Sequence, residues 1–427
     1  MICVSTRGHA PAVSLKTAVL AGLAPDGGLY VPQRLPRLSE RSWREKRGRS
    51  FQDVALALAV ELAGDELDRE TLGAIVRDAL NFPVPIVQLD DRLSVLELFH
   101  GPTFAFKDFG ARTLARLMSR LHTDSEPLTV LVATSGDTGG AVAQAFHGLP
   151  NTRVVVLYPE GQVSDVQEAQ FTTLGGNVTA IAVRGTFDDC QRLTKEAFAD
   201  SGITSRLRLT SANSISLGRL LPQVFYYAWA SLQFDDQPSI SVPSGNFGHL
   251  AAGVMARILG APIAAFSAPT TVNDTFARYL ETGRVEPRPS VATLANAMDV
   301  GNPSNLDRLR WLFDGDVAAM RQHISSSSHT DDEVREAIVE LRRRYGYVAD
   351  PHTAIAYRGA TSDSGVTRQA APHTLFLATA HPAKFRDVVE GALKETVQLP
   401  EALAAALTRK RVALRIDPAL AELRDLL

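Results

Sequence analysis

The stretch Leu128-Thr129-Val130-Leu131-Val132-Ala133-Thr134-Ser135-Gly136-Asp137-Thr138-Gly139-Gly140 decides the architecture. Its first half is apolar and β-branched, which reads as a buried strand over 128–133. Small polar residues and glycines follow at once, and a helical pattern begins near 139. The same succession repeats along the chain. Further buried strands are predicted at 153–157, 178–183, 239–242, 263–266 and 374–378, with helices at 139–148, 187–200, 217–230 and 250–259. Strand and helix in turn predict α/β layers built on a mainly parallel sheet. Upstream, residues 12–80 read as mostly helical, with Phe51, Val54, Leu58 and Leu62 on one face and a turn at Pro25-Asp26-Gly27-Gly28. Residues 331–345 form a charged helix with Val334, Ile338 and Leu341 on its apolar face, and the tail after about 396 reads as helical.

Composition narrows the function class. A chain of 427 residues suits two or three packed units. Its net charge of −3 gives no broad basic field for nucleic acid, and the short basic run at 44–49 reads as a solvated face. Two cysteines, Cys3 and Cys190, make no disulfide framework, so a reducing compartment is expected. Arg7, His9 and Lys16 interrupt any signal-peptide core, and no apolar run reaches membrane-spanning length. The expectation is a cytoplasmic protein that binds neither nucleic acid nor membrane.

Chemistry concentrates in loops, because ligands of open parallel sheets bind where strands end. His100-Gly101-Pro102-Thr103-Phe104-Ala105-Phe106-Lys107-Asp108-Phe109-Gly110 sets one lysine in an apolar surrounding at a predicted helix start. Burial favours the free amine, which can form a Schiff base with an aldehyde cofactor. Equally open at this point is a lysine whose stem packs on Phe106 while its head reaches water. Pro243-Ser244-Gly245-Asn246-Phe247-Gly248 joins a strand to a helix, and its glycines let successive amides converge on an anion. The 134–140 loop offers hydroxyls and amides suited to a carboxylate, with Asp137 as its one discordant group. In Ala378-Thr379-Ala380-His381-Pro382-Ala383-Lys384-Phe385, Thr379 points from a strand end toward the same crevice and His381 reads as structural. In 211–221, Leu217, Leu220, Leu221 and Val224 form a core stripe that leaves Asn213, Ser214 and Arg219 for a second phosphate. Gly101 to Lys107 is no P-loop, since Phe106 replaces the needed glycine, and no Rossmann, zinc or nucleophile-elbow motif occurs.

Taken together, these segments resemble the threonine synthases, within the tryptophan-synthase β-like group of pyridoxal-phosphate enzymes. The likeness runs nearly end to end: Ser5-Thr6-Arg7-Gly8, 22–30, 98–110, Thr134-Ser135-Gly136-Asp137-Thr138-Gly139, Leu174-Gly175-Gly176-Asn177, Asn273-Asp274-Thr275, 296–300, Asp350-Pro351-His352-Thr353-Ala354 and 379–385. It implies the tryptophan synthase β-like fold, with parallel sheets flanked by helices. It further implies an N-terminal region at 1–85, a two-part catalytic core at 86–395 and a helical tail at 396–427. Pyridoxal 5'-phosphate would be carried by Lys107, its phosphate cradled by Gly245, Asn246, Phe247 and Gly248, and its ring nitrogen faced by Thr379. Ser135, Asp137 and Thr138 would meet the amino-acid end of the substrate. Asn213, Ser214, Arg219 and Thr103 would meet its phosphate. The implied reaction is that of a lyase in threonine biosynthesis, turning O-phospho-L-homoserine and water into L-threonine and phosphate by a monomer or homodimer. The chain departs from the family at Ser216, where asparagine is usual, at His249, where asparagine or aspartate is usual, and at Phe104, where leucine is common. The alternative is a divergent relative acting on a related γ-substituted or phosphonate amino acid.

Overall fold

Leu128–Ala133, Val178–Val183 and Thr374–Ala378 form strands at the predicted bounds in the computed structural model, which describes residues 1–362 and 371–427. Leu128–Ala133 is buried along its whole length, as a strand covered on both faces must be. It lies inside a parallel five-stranded sheet. The order runs Leu414–Ile416, Val178–Val183, Thr152–Pro159, Leu128–Ala133, Arg208–Thr210. A second sheet runs Ile324–Ser325, Phe266–Ser267, Ser239–Ser241, Thr374–Ala378, Leu93–Glu97, Ile86–Gln88, and only its last pair is antiparallel. The α/β expectation of mainly parallel sheets flanked by helices therefore holds.

The N-terminal region holds the helices Leu15–Ala21, Glu40–Arg44, Phe51–Ala63 and Arg69–Ala79. Phe51, Val54, Leu58 and Leu62 are buried on one face of the third. A small antiparallel sheet of Val13–Ser14, Ile2–Ser5 and Tyr30–Pro32 joins them, so this region is less purely helical than expected. Thr330 and Glu333 form a capping box that starts the charged helix Asp331–Tyr345.

Two expectations are corrected. The helix expected over 217–230 divides into Leu217–Leu220 and Gln223–Ser231, because Pro222 has no amide hydrogen to continue the ladder. The tail is not all helix. Between Glu401–Thr408 and Leu420–Leu426 it supplies Leu414–Ile416, an edge strand of the first sheet. Among the described residues, no helix is long and apolar enough to cross a membrane.

Candidate active site

Leu93–Glu97 and Thr374–Ala378 are neighbouring parallel strands, so the loops leaving their carboxyl ends run side by side. They are also sewn together. Ala105 bridges Ala380, the Phe106 amide donates to the Thr379 carbonyl at 2.9 Å, and the His381 amide donates to the Phe104 carbonyl at 3.1 Å. Phe104 takes a left-handed φ of 57° in the turn that delivers Lys107 to the first position of the helix Lys107–Leu121. Lys107 then faces a cavity into which the 134–138, 213–219, 243–249 and 296–304 segments also open.

Electrostatics at the lysine are unusual. Burial pushes the Lys107 amine below its ordinary range; Lys384 and Arg219 add to this, and Asp137 opposes it. Asp137 lies inside the site, its oxygens 3.4 Å from Lys107 Nζ and 2.7 Å from Lys384 Nζ, with Gln167 Nε2 donating at 2.8 Å. Burial would raise its pKa, but the two ammoniums hold it well below the usual carboxylate range. Gly136, at φ 136°, allows the turn that aims this carboxylate inward. Ser135 and Thr138 are half-buried on the same loop.

The glycine turn fits an anion. Gly245 comes so close to the 296–299 segment that a Cβ on it would lie 2.5 Å from the Met298 Cα. Phe247, at φ 57°, turns the chain into the helix Gly248–Ile258, whose first two residues line the cavity. Asn246 is held from both sides, donating to Ser214 Oγ at 2.6 Å and accepting from the Ser304 amide at 2.6 Å. The Asn213 and Asn296 side-chain carbonyls and both His249 nitrogens are buried without a hydrogen-bond partner among the described residues. Thr379 lines the cavity, and its hydroxyl has no protein partner among the described residues. A buried amine, a glycine cradle at a helix start and the Thr379 hydroxyl opening on one space fit pyridoxal phosphate.

Arg219 is almost fully buried, whereas a solvated position is usual for a lone helix arginine. Its Nη1 donates to the Ala212 carbonyl at 2.6 Å, its Nε is unpartnered, and burial pushes its pKa down to about 10. Thr103 must be corrected. Its amide and hydroxyl both donate to Asp108, at 2.9 and 2.7 Å, and it lies outside the cavity. Its role is to hold Asp108, whose carboxyl burial pushes up to about 6. His381 Nδ1 accepts from the Ala383 amide at 3.1 Å, capping the turn Pro382–Phe385, as the structural reading expects.

Three residues escaped the sequence reading. Lys384 has a fully buried side chain inside the site. His352 Nε2 accepts from the Ala297 amide while its Nδ1 meets Asp350 at 2.7 Å, fixing one cavity wall. Arg308 donates to the carbonyls of Tyr30, Ser214 and Ile215 and to Asn305 Oδ1, so it sets the Ser214 loop. Lys384 and His352 lie in the quoted motifs, but their partners are distant in sequence. Arg308 has no local signal. A separate groove of about 930 Å³, lined by Arg37, Trp43 and Arg257, is reached by none of these residues.

His249 is neither an anion ligand nor a helix cap. Its ring stacks on Phe106 at 4.4 Å, and burial, with help from Lys107, pushes its pKa down to about 3. The unfolded chain therefore binds a proton below about pH 6.5 that the native state refuses down to about pH 3. Stability falls as pH drops through that window, by up to about 5 kcal/mol. His249→Asn should lose about 2–3 kcal/mol less than the parent between pH 7 and pH 4.5. Urea unfolding at both pH values measures this; equal losses in both proteins would refute a buried neutral ring.

Comparison with known proteins agrees with this geometry. Three family models match: pyridoxal-phosphate dependent enzyme over residues 83–377, threonine synthase N terminus over 3–80, and threonine synthase C-terminal over 353–427. Threonine synthase of Escherichia coli K12 is 43% identical over 402 residues, covering 93% of this chain and 92% of the relative. That of Serratia marcescens is 42% identical, covering 99% and 97%. Among solved structures, the E. coli enzyme superposes with a TM-score of 0.92 at 41% identity, covering 100% and 99%. A pyridoxal-phosphate-bound threonine synthase from Brucella melitensis gives 0.92 at 38% identity, covering 100% and 98%.

Proposed function

This chain belongs to the threonine synthase family of pyridoxal-phosphate enzymes, and we propose that its cavity converts O-phospho-L-homoserine and water to L-threonine and phosphate. The observation that carries the reading is the meeting of Lys107, the 245–248 cradle and the 213–219 segment in one cavity, because the reaction needs an amine and two anion sites together.

When bound, pyridoxal phosphate supplies the electron sink that makes the substrate's Cα proton acidic. In our reading Lys107 holds the cofactor through its amine and, once released, takes the proton from Cα and returns it later. The amides of Gly245, Phe247 and Gly248 neutralise the cofactor phosphate, while Asn246 braces the turn through Ser214 and Ser304. Thr379 offers the ring nitrogen a neutral hydroxyl. The loop amides with Ser135 and Thr138 take the substrate carboxylate, and Asp137 acts on the two lysines. Asn213, Ser214 and Arg219 receive the substrate phosphate and stay with it as it leaves. We further propose the division 1–85, 86–395 and 396–427, and a cytoplasmic site of action, which suits two buried free thiols.

The test is the release of phosphate and threonine from O-phospho-L-homoserine by the purified holoenzyme. Equal amounts of the two products are expected. Turnover of another γ-substituted amino acid alone would favour the divergent-relative reading instead. Arg219→Ala should raise KM on the order of tenfold to a hundredfold while cofactor absorbance persists. Loss of the cofactor with KM unmoved would reassign this arginine.

A further inference from the structure

Lys384 is a second lysine in this site, and its ammonium has no path to water. Its side chain is fully buried, and its Nζ lies 2.7 Å from Asp137 Oδ1 and 2.9 Å from the Thr103 carbonyl. The first contact is a short charge-assisted bond and the second is an ordinary one. Lys107 reaches the other oxygen of the same carboxylate only at 3.4 Å, and has no other hydrogen-bond partner among the described residues. Two lysines thus share one carboxylate unequally.

The surrounding charges make this inequality count. Arg219 is buried nearby and adds a third cation; His249 is neutral; Asp108, on the lysine's own helix, is engaged by Thr103. Asp137 is the one carboxylate in contact with both ammoniums, and two like charges beside it in a buried space repel strongly. The least costly relief is for the poorly bonded amine to release its proton to solvent through the open side of the cavity.

We propose that Lys384 is a positioning residue whose ammonium occupies Asp137, so that Lys107 beside it is left an uncharged amine, able to bond the cofactor aldehyde and to accept a proton. This rests on the reading of Lys107 as the cofactor lysine. It also explains Asp137, the acid that looked out of place in an anion-binding loop. Asp137 anchors Lys384 and orients Lys107 without holding its proton.

Replacing Lys384 with methionine keeps the stem and removes the charge. Asp137 would then turn wholly to Lys107 and one repelling cation would be gone, and both changes favour the charged form of Lys107. The apo full-length chain is mixed with pyridoxal phosphate across pH 6 to 10, and the rate of appearance of the visible absorbance is recorded. We expect Lys384→Met to load about tenfold more slowly at neutral pH, its profile displaced at least about one pH unit upward, with Lys384→Arg restoring the parent profile. A folded Lys384→Met with the parent's loading profile would overturn the proposal. Should that variant not fold, competitive acetylation of the parent apo chain, read by peptide mass, decides the matter. Lys107 should react first near neutral pH and Lys384 last, and the reverse order would overturn it. Lys107→Ala separates the two readings: absorbance surviving in that variant sinks the cofactor assignment itself. Absorbance lost there with an unchanged Lys384→Met profile sinks only the role of Lys384.

Discussion

Lys107→Ala should remove the visible absorbance of the cofactor and reduce turnover by about 10⁴-fold while leaving the thermal unfolding midpoint near the parent value. Activity falls because one amine both carries the cofactor and moves the proton. The fold survives because the lysine contributes little to it: its one hydrogen bond is the 3.4 Å contact with Asp137, which keeps Lys384 and Gln167 as closer partners. Its removal also breaks no strong ion pair, because burial and the cations nearby already disfavour the charged form of this amine. Absorbance, phosphate release and a melting curve on the same preparation check all three statements. Parent-level activity would end the assignment.

Arg308→Met tests the opposite kind of residue, one that holds the site and takes no part in its chemistry. Arg308 is fully buried, and it links the N-terminal strand Tyr30–Pro32 to the Ser214 loop. Burial without a carboxylate pushes its pKa down to about 9, so it occupies its place at a cost. Removing it relieves that cost but leaves the carbonyls of Tyr30, Ser214 and Ile215 without their donor. The second effect should prevail, because several buried acceptors lose partners at once. We expect a net loss of about 3 kcal/mol in urea unfolding, together with a raised KM as Ser214 loosens. Arg308→Lys should recover less than half, since one ammonium cannot span the arc a guanidinium fork covers. An unchanged unfolding midpoint would refute the bracing role.

How much of this was legible in the sequence depends on the range of the interaction. The bounds of Leu128–Ala133, Val178–Val183 and Thr374–Ala378 could be read because β-branched runs end abruptly in small polar residues. The glycine turn at 245–248 could be read because conformational freedom is a local property. Strand order could not: nothing local says that Thr374–Ala378 lies between Ser239–Ser241 and Leu93–Glu97. The short strands Arg208–Thr210 and Leu414–Ile416 are too brief to announce themselves. The family resemblance placed Thr103 at the substrate phosphate, but Asp108, five residues on, holds its hydroxyl instead. Lys384 and Arg308 looked like ordinary charged residues because burial is decided by distant segments.

The central place of Thr374–Ala378 in the second sheet has a consequence for how the molecule is made. Four of the five strands of the first sheet come from 128–210, so that layer can close early as the chain leaves the ribosome. The second sheet cannot. Its Leu93–Glu97 strand waits, unpaired on one edge, for a partner about 280 residues later. Until then Ala105 has no Ala380 to bridge and the Phe106 amide has no Thr379 carbonyl to meet. The turn that buries Lys107 and lowers its amine is therefore not set until residues 374–381 have been made, long after the lysine itself.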